Sequence, residues 1–236
     1  MIGAAMHMPL SSLGSASGRT VIGTLLNFKG SLDRYGSQLR SAPYNAPPRA
    51  PVLYIRPEST WSTDGQGIAV PRDVQSVELG ATLGLVIGRT ASRVSARRAL
   101  EYVAGYVIAN DLCVPHENIF RPAIKERCRD GFCSIGPAVA DRAAVDDPDA
   151  LGIRAYVNGE LCQQSSTRDL VRPVSRLLAD VTEFMTLHVG DVLLVGVPDR
   201  APRAGIGDRI AAEIDCVGRL ENRLIADPHS PAELSS

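Results

Sequence analysis

The 236-residue sequence contains no long apolar run and no marked excess of charge of either sign. A membrane-spanning helix needs about 20 consecutive apolar residues, and no segment approaches that length. The formal net charge is −1, so composition gives no reason to expect nucleic acid or a membrane surface as a partner. The length and the hydrophobic content of 44% are instead typical of a globular chain that buries one sizeable core.

Cysteine is also scarce, and its spacing follows no pairing pattern. The five cysteines are odd in number, scattered and without a CxxC motif. This usage favours reduced thiols over a disulfide framework or a zinc site. Reduced thiols in turn predict a cytoplasmic location.

The two ends of the chain differ in composition from its middle. Residues 1–17 are small and polar and lack a basic segment, so they predict a flexible leader rather than a signal peptide. Residues 226–236 predict a flexible tail. No composition break divides residues 18–225, which we interpret as a single domain.

The middle of the chain predicts a β-rich α+β fold. Short apolar runs bounded by Gly and Pro predict strands in "GRTVIGTLLNF", "APVLYIRP", "ELGATLGLVIG" and "GYVIAND". Asn158-Gly159 predicts a type I′ hairpin turn within "GIRAYVNGELCQ". One helix is predicted to begin at "SARRALEYV" and a second to cover "PVSRLLADVTEFMTL". The second has an apolar side made of Val174, Leu177, Leu178, Val181 and Phe184.

The densest charge in the chain lies in "PAIKERCRDGFCSIGP", with five charged residues in six positions. Two interpretations are open: a solvated turn with local ion pairs, or a clamp that binds the carboxylates of a small molecule. In an extended segment, Lys125, Arg127 and Arg129 would share one face. Asp130 would then orient an arginine, and Arg121 lies close by.

Several segments, taken in order, resemble the fumarylacetoacetate hydrolase family from about residue 18 to residue 225. They are "VIGRT", "GYVIAND", "RDGFCSIGP", "VNGELCQ", "HVGDVLLVGVP" and "GIGDRIAAEIDCVGRLEN". The resemblance implies a mixed β-roll and a homodimer, or a heterodimer with a paralogous subunit. The motifs "RPAIKERCRDGFCSIG" and "YNAPPRAP" are most similar to the amino-terminal half of the family members that act in homoprotocatechuate (4-hydroxyphenylacetate) breakdown.

That branch of the family implies a decarboxylase/isomerase that acts on an unsaturated 2-oxo di- or tricarboxylic acid. The implied steps are decarboxylation of 5-carboxymethyl-2-oxo-hex-3-ene-1,7-dioate and isomerisation of 2-hydroxyhepta-2,4-diene-1,7-dioate. Two alternatives stay open: a catalytically weak partner of a metal-bearing paralogue, and an acylpyruvate-type C–C hydrolase. The hydrolase is disfavoured because the family's water-activating His and Glu align with Ser31 and Arg34.

The resemblance also implies Mg²⁺ or another divalent cation, held by two Glu on one strand and an Asp ending a later strand. These positions align with Gly80, Thr82 and Asp111, so the chain keeps one of the three metal ligands. Mg²⁺ prefers several hard oxygen ligands, which makes a cation site built from this chain alone incomplete.

Cationic residues remain at the other aligned positions. The family's active-site Lys aligns with Arg127 and a second conserved-motif Lys with Arg56. Arginine stays charged and binds carboxylates with two donors, so Arg127 suits charge stabilisation better than proton transfer. We therefore expect Arg127 and Lys125 to act in catalysis.

Two further sets of residues complete the predicted site. Arg56, Arg121 and Asp130 are expected to bind substrate, with Arg56 as an outer carboxylate contact. His116 and Glu117 follow Asp111 on a loop and are candidates for moving a proton, because His titrates near working pH.

Overall fold

The structure is a computed structural model that describes residues 7–9, 18–117 and 122–229. Its helices are α1 (Lys29–Leu39), α2 (Ile124–Arg127) and α3 (Val174–Thr182), with 3₁₀ turns at Glu58–Thr60, Ala96–Tyr102, Arg142–Ala144 and Thr167–Asp169. Its strands are β1 (His7–Pro9), β2 (Val21–Leu25), β3 (Val52–Arg56), β4 (Trp61–Thr63), β5 (Gly67–Val70), β6 (Val77–Glu78), β7 (Ala81–Ile87), β8 (Val103–Asp111), β9 (Cys133–Ile135), β10 (Ala138–Asp141), β11 (Gly152–Val157), β12 (Glu160–Ser166), β13 (Val192–Leu194), β14 (Arg203–Ala204), β15 (Arg209–Ile214) and β16 (Gly218–Ala226).

Two large sheets organise these strands. A nine-stranded sheet has the order β1-β10-β8-β7-β13-β2-β3, and β9 also pairs with β8 and with β4. A five-stranded sheet has the order β12-β11-β15-β16-β5. Parallel pairs such as β13–β2 and β16–β5 occur beside antiparallel ones. The mixed, β-rich α+β fold predicted from the sequence is therefore confirmed.

The core lies between the two sheets and under α3. Leu83 and Leu85 of β7 pack in the same buried cluster as Ile153 of β11 and Leu177 of α3. Val86, which points to the other face of β7, belongs to a second buried cluster. All seven residues of β7 are buried, as its almost unbroken apolar character predicts for a strand covered on both faces.

The predicted hairpin and the second predicted helix form where the sequence places them. Asn158 and Gly159 have φ angles of 52° and 87°, which are the positive values that a type I′ turn requires. In α3, the four predicted aliphatic residues are buried. Phe184 is 66% exposed. Its predicted place on the apolar side is wrong because the helix ends at Thr182.

Two helical predictions differ from the structure. Residues 96–102 form a 3₁₀ turn rather than an α-helix, and the 11-residue helix α1 was not predicted. Strand β1 pairs antiparallel with β10 inside the segment predicted as a leader, and the rest of that segment lies outside the described residues. Among the described helices, none combines the length and apolar character needed to span a bilayer.

Candidate active site

A buried carboxylate, Asp111, lies at the centre of the candidate site. It is the last residue of β8, and its side chain has no exposed surface. Strand β3 contributes Tyr54 and Arg56, which lie two residues apart and therefore point to the same face of the sheet. Helix α2 contributes Arg127 from its last position.

Both oxygens of Asp111 accept hydrogen bonds from these three side chains. Arg56 donates from Nε to Oδ1 at 2.6 Å, and its Nη2 contacts the same oxygen. Arg127 donates from Nη1 to Oδ2 at 3.0 Å, and the Tyr54 hydroxyl donates to the same Oδ2. The carboxylate is therefore fully engaged by two guanidinium groups and one phenol.

Arg56 is held in the interior rather than at the outer edge of the site. Its side chain has no exposed surface. Besides Asp111, it donates to the carbonyl oxygen of Leu112 at 2.6 Å and to that of Arg127. The structure thus places Arg56 behind Asp111 as an anchor for the neighbouring backbone, where a substrate carboxylate does not reach it directly.

Arg127 lies over the ring of Tyr54. Its guanidinium carbon is 4.9 Å from the ring centroid, a distance at which cation and ring attract each other. The ring itself lies flat against Gly23 of β2, the residue that pairs with Tyr54 across the two strands. A Cβ atom at position 23 would overlap the ring, so glycine is required there for Tyr54 to take this position.

Two guanidinium groups share the one carboxylate. Arg56 and Arg127 both pair with Asp111, which leaves one positive charge in excess among these three side chains. Glu78 is paired separately with Arg203 at 3.1 Å. Within residues 18–117 and 122–229, the Nε atom of Arg127 is buried and has no hydrogen-bond partner.

Burial and neighbouring charge fix the protonation states of the cluster. Burial, followed by the negative charge of Asp111, raises the pKa of Tyr54 well above 10, so the phenol stays neutral. Burial opposes the charge of Arg127, but Tyr54 and Asp111 outweigh it and raise the pKa of the guanidinium. Arg127 is consequently a permanent cation and cannot act as a base.

Arg127 lines a cleft of about 1710 Å³. Its lining includes Ser31 and Arg34 of α1, together with Val197 and Asp199. Arg34 and Asp199 form an ion pair of 3.3 Å. A cleft of this size accommodates a substrate with several carboxylates.

The predicted site residues fall into three groups. Arg127, His116 and Glu117 line the cleft together. Lys125 and Asp130 are exposed and are not part of its lining. Arg121 lies outside the described residues.

The separation of Lys125 from Arg127 follows from the backbone. In an extended segment the two side chains would share one face, but residues 124–127 form a turn of α-helix. Residues two apart on a helix differ by about 200° in direction, so these two side chains point to opposite sides. Only Arg127 turns towards Asp111.

The residues at the aligned metal positions do not fit a divalent cation. A Cβ atom at Gly80 would overlap the carbonyl oxygen of Asp111 and lie 3.0 Å from Cγ2 of Val197, so the backbone closes this position to a side chain. Thr82 is buried and donates its hydroxyl to the carbonyl oxygen of Gly196 at 2.6 Å. Asp111 faces two cations. Among the described residues, no group of three His, Cys, Asp or Glu side chains could hold a metal ion.

Tyr54 was not predicted from the sequence as a residue of the site. The alternation in "VLYIR" places Tyr54 and Arg56 on one face of β3, which was the available signal. That pattern is common to any strand, and nothing local in the sequence indicates that Tyr54 contacts Asp111, 57 residues later.

Comparison with known proteins gives consistent results. The sequence profile described as "Fumarylacetoacetate (FAA) hydrolase C-terminal" matches residues 20–225. A 4-hydroxyphenylacetate degradation bifunctional isomerase/decarboxylase from Salmonella dublin is 38% identical over 208 residues, which cover 88% of this chain and 47% of that protein. The chain thus spans about half the length of this relative.

Two further comparisons extend this result. A maleylpyruvate hydrolase from Aquipseudomonas alcaligenes is 34% identical over 170 residues, which cover 71% of this chain and 58% of that protein. The crystal structure of 5-carboxymethyl-2-hydroxymuconate delta-isomerase from Mycobacterium smegmatis superposes with a TM-score of 0.75 at 28% identity, and covers 88% of this chain and 79% of the other.

Proposed function

Since the chain belongs to the fumarylacetoacetate hydrolase family, we propose that it is a decarboxylase/isomerase subunit for an unsaturated 2-oxo di- or tricarboxylic acid. The observation that carries this proposal is that Arg127, a permanent cation paired with the buried Asp111, lies on the lining of the cleft. The similarity to an isomerase/decarboxylase and to a delta-isomerase supports the same substrate class.

The proposed decarboxylation needs charge stabilisation more than it needs a base. The C–C bond to the departing carboxylate breaks, and its electron pair moves through the conjugated double bond to the 2-oxo oxygen. CO₂ leaves, and a proton then adds to the dienolate to give the 2-hydroxy diene. Negative charge builds on the 2-oxo oxygen, and a cation already in place lowers that barrier.

Arg127 is the residue proposed to stabilise this charge. It is held by Asp111 and Tyr54 before any ligand arrives, so little reorganisation is needed during the reaction. His116 and Glu117 lie in the same cleft and are proposed to carry the proton that isomerisation moves. Arg56 and Asp111 are positioning residues, because they act through Arg127.

Replacement of Arg127 tests this proposal. We predict that Arg127→Ala lowers turnover of 5-carboxymethyl-2-oxo-hex-3-ene-1,7-dioate at least about tenfold, because a charged hydrogen bond to the developing oxyanion is lost. Release of CO₂ and the absorbance of the dienoate product provide the readout. Arg98→Ala is the matched control, since Arg98 pairs with Glu101 on the surface at 2.9 Å. Equal kinetics for the Arg127 variant and the wild type would remove the proposed role.

A second candidate is a partner subunit of low activity that completes a dimer with a metal-bearing paralogue. Two observations favour it: the aligned metal positions do not fit a cation, and the chain spans about half of the similar bifunctional enzyme. Assaying the purified chain alone separates the candidates. CO₂ release without a partner supports the enzyme, whereas activity only after a paralogous half is added supports the partner subunit.

C–C hydrolysis is the least favoured reaction. The maleylpyruvate hydrolase relative raises it, but Ser31 and Arg34 occupy the cleft positions at which the family resemblance implies a His and a Glu. Neither Ser31 nor Arg34 would generate hydroxide from water. Detection of pyruvate released from an acylpyruvate would restore this alternative.

A further inference from the structure

We infer that the Arg127 guanidinium replaces a divalent cation in this chain, so that the cleft binds a 2-oxo carboxylate without metal. This inference rests on the proposed function for its substrate class. It concerns the means by which the anion is bound, which the proposed reaction by itself leaves open.

The first support is the way Asp111 is used. In a metal site, its carboxylate would direct a lone pair at the cation. Here Arg56 contacts one oxygen, while Arg127 and Tyr54 contact the other. Moving an arginine away to admit a metal ion would leave a buried guanidinium without its carboxylate, which is strongly unfavourable.

The second support is the closure of the neighbouring positions. The backbone of Gly80 lies against the backbone of Asp111, with no room for a side chain. The hydroxyl of Thr82 is used by the carbonyl of Gly196. Two hydrogen bonds tie the strands at this point: Asp111 N–H donates to the carbonyl of Gly80 at 2.9 Å, and Gly80 N–H donates to Asn110 Oδ1 at 2.9 Å. Neither Gly80 nor Thr82 therefore supplies a ligand to a cation.

The third support is the exposed part of Arg127. Its side chain is 16% exposed and lines the cleft, while Asp111 takes only the Nη1 atom. The part of the guanidinium that faces the cleft is therefore available to a carboxylate oxygen. Arginine presents parallel donors that match the two oxygens of a carboxylate.

Oxalate binding to protein treated with EDTA tests the inference. Oxalate has the adjacent carboxylate and carbonyl-type oxygens of a 2-oxo acid, and isothermal titration calorimetry measures its affinity without any turnover. We expect oxalate to bind the EDTA-treated wild type, and one molar equivalent of MgCl₂ per protein, too little to sequester the oxalate, to change the dissociation constant by less than about twofold. Arg127→Ala should weaken binding at least about tenfold, while Arg98→Ala should bind as the wild type does.

Arg127→Lys keeps a positive charge near Asp111. It therefore serves as a second variant if the alanine variant does not fold. It should weaken oxalate binding several-fold, because an ammonium lacks the fixed fork of the guanidinium. Thermal unfolding of each variant verifies that it is folded. Oxalate binding that requires Mg²⁺, or that is unchanged in both Arg127 variants, would overturn the inference.

The same experiments separate this inference from the proposed reaction. Metal-independent oxalate binding without CO₂ release would leave the inference standing and remove the decarboxylase. CO₂ release that requires Mg²⁺ would support the decarboxylase and overturn the inference that the cleft works without metal.

Discussion

At the scale of single residues, the site depends on how three side chains share one carboxylate. Asp111 cannot be left unpaired in the interior, and Arg56 and Arg127 together supply more charge than it neutralises. The other donors of Arg56 form hydrogen bonds with backbone carbonyl oxygens. Arg127 has an unused donor and lines the cleft. We therefore propose that Arg56 stabilises the site and that Arg127 contacts the ligand.

The hydroxyl of Tyr54 contributes to this arrangement. We predict that Tyr54→Phe lowers the free energy of unfolding by about 1–2 kcal/mol, because Oδ2 of Asp111 loses a donor while the ring under Arg127 stays. Urea unfolding measures the change. Tyr102→Phe is the control, since that ring also lies under an arginine, Arg89, at 4.9 Å, and should change stability by less than about 0.5 kcal/mol. Equal effects of the two substitutions would contradict the role of the Tyr54 hydroxyl.

The five free cysteines should differ in reactivity. Burial raises the pKa of Cys113 to about 11 and that of Cys133 to about 12, so both remain thiols at pH 8 and are poor nucleophiles. Cys162 and Cys216 are exposed. We predict that iodoacetamide labels the exposed pair in the native protein and spares the buried pair. Peptide mapping by mass spectrometry verifies this, and native labelling of Cys133 would contradict the placement of β9.

At the scale of secondary structure elements, the close approach of two chain segments determines the site. Gly80 precedes β7, and its backbone lies against that of Asp111 at the end of β8. Strand β3 then brings Tyr54 and Arg56 to the same place from the edge of the sheet. The buried acid, the anchor and the cleft residue therefore come from three separate parts of the chain.

Adding one methyl group at Gly80 should disturb this contact. We predict that Gly80→Ala lowers the free energy of unfolding by at least about 2 kcal/mol, because its Cβ would overlap backbone atoms that cannot rotate away. Gly36→Ala is the matched control. Its Cβ would lie 3.4 Å from the end of the flexible Arg40 side chain, and alanine favours the helix by up to about 1 kcal/mol. Chemical denaturation of both variants should give changes of opposite sign; a neutral Gly80→Ala would contradict the packing described.

Particular elements explain how much the sequence predicts. Asn158-Gly159 and the aliphatic side of α3 are local patterns, and both predictions are confirmed. Helix α1 was missed because Gly30 and Gly36 lower its helical propensity. Tyr54 was missed because its partner is distant in sequence. The inward direction of Arg127, but not of Lys125, depends on a single helical turn that composition does not reveal.

At the scale of the whole molecule, α1, the strands β2 and β3 and the segment 197–203 line a cleft whose chemistry differs from a metal site. The family fold is kept over residues 20–225. At the aligned metal positions, however, Gly80 packs against backbone and Asp111 pairs with Arg127. The chain also spans about half of the similar bifunctional enzyme. We therefore expect the scaffold to retain substrate binding even where a second, paralogous half completes the reaction.

A crystal structure of the EDTA-treated protein with oxalate tests the account most directly. We predict that oxalate lies in the cleft with a carboxylate oxygen within hydrogen-bonding distance of the Arg127 guanidinium, and with Asp111 still bound to Arg56. Oxalate held by a metal ion on Asp111, or found only outside the cleft with Arg127 turned towards solvent, would contradict it.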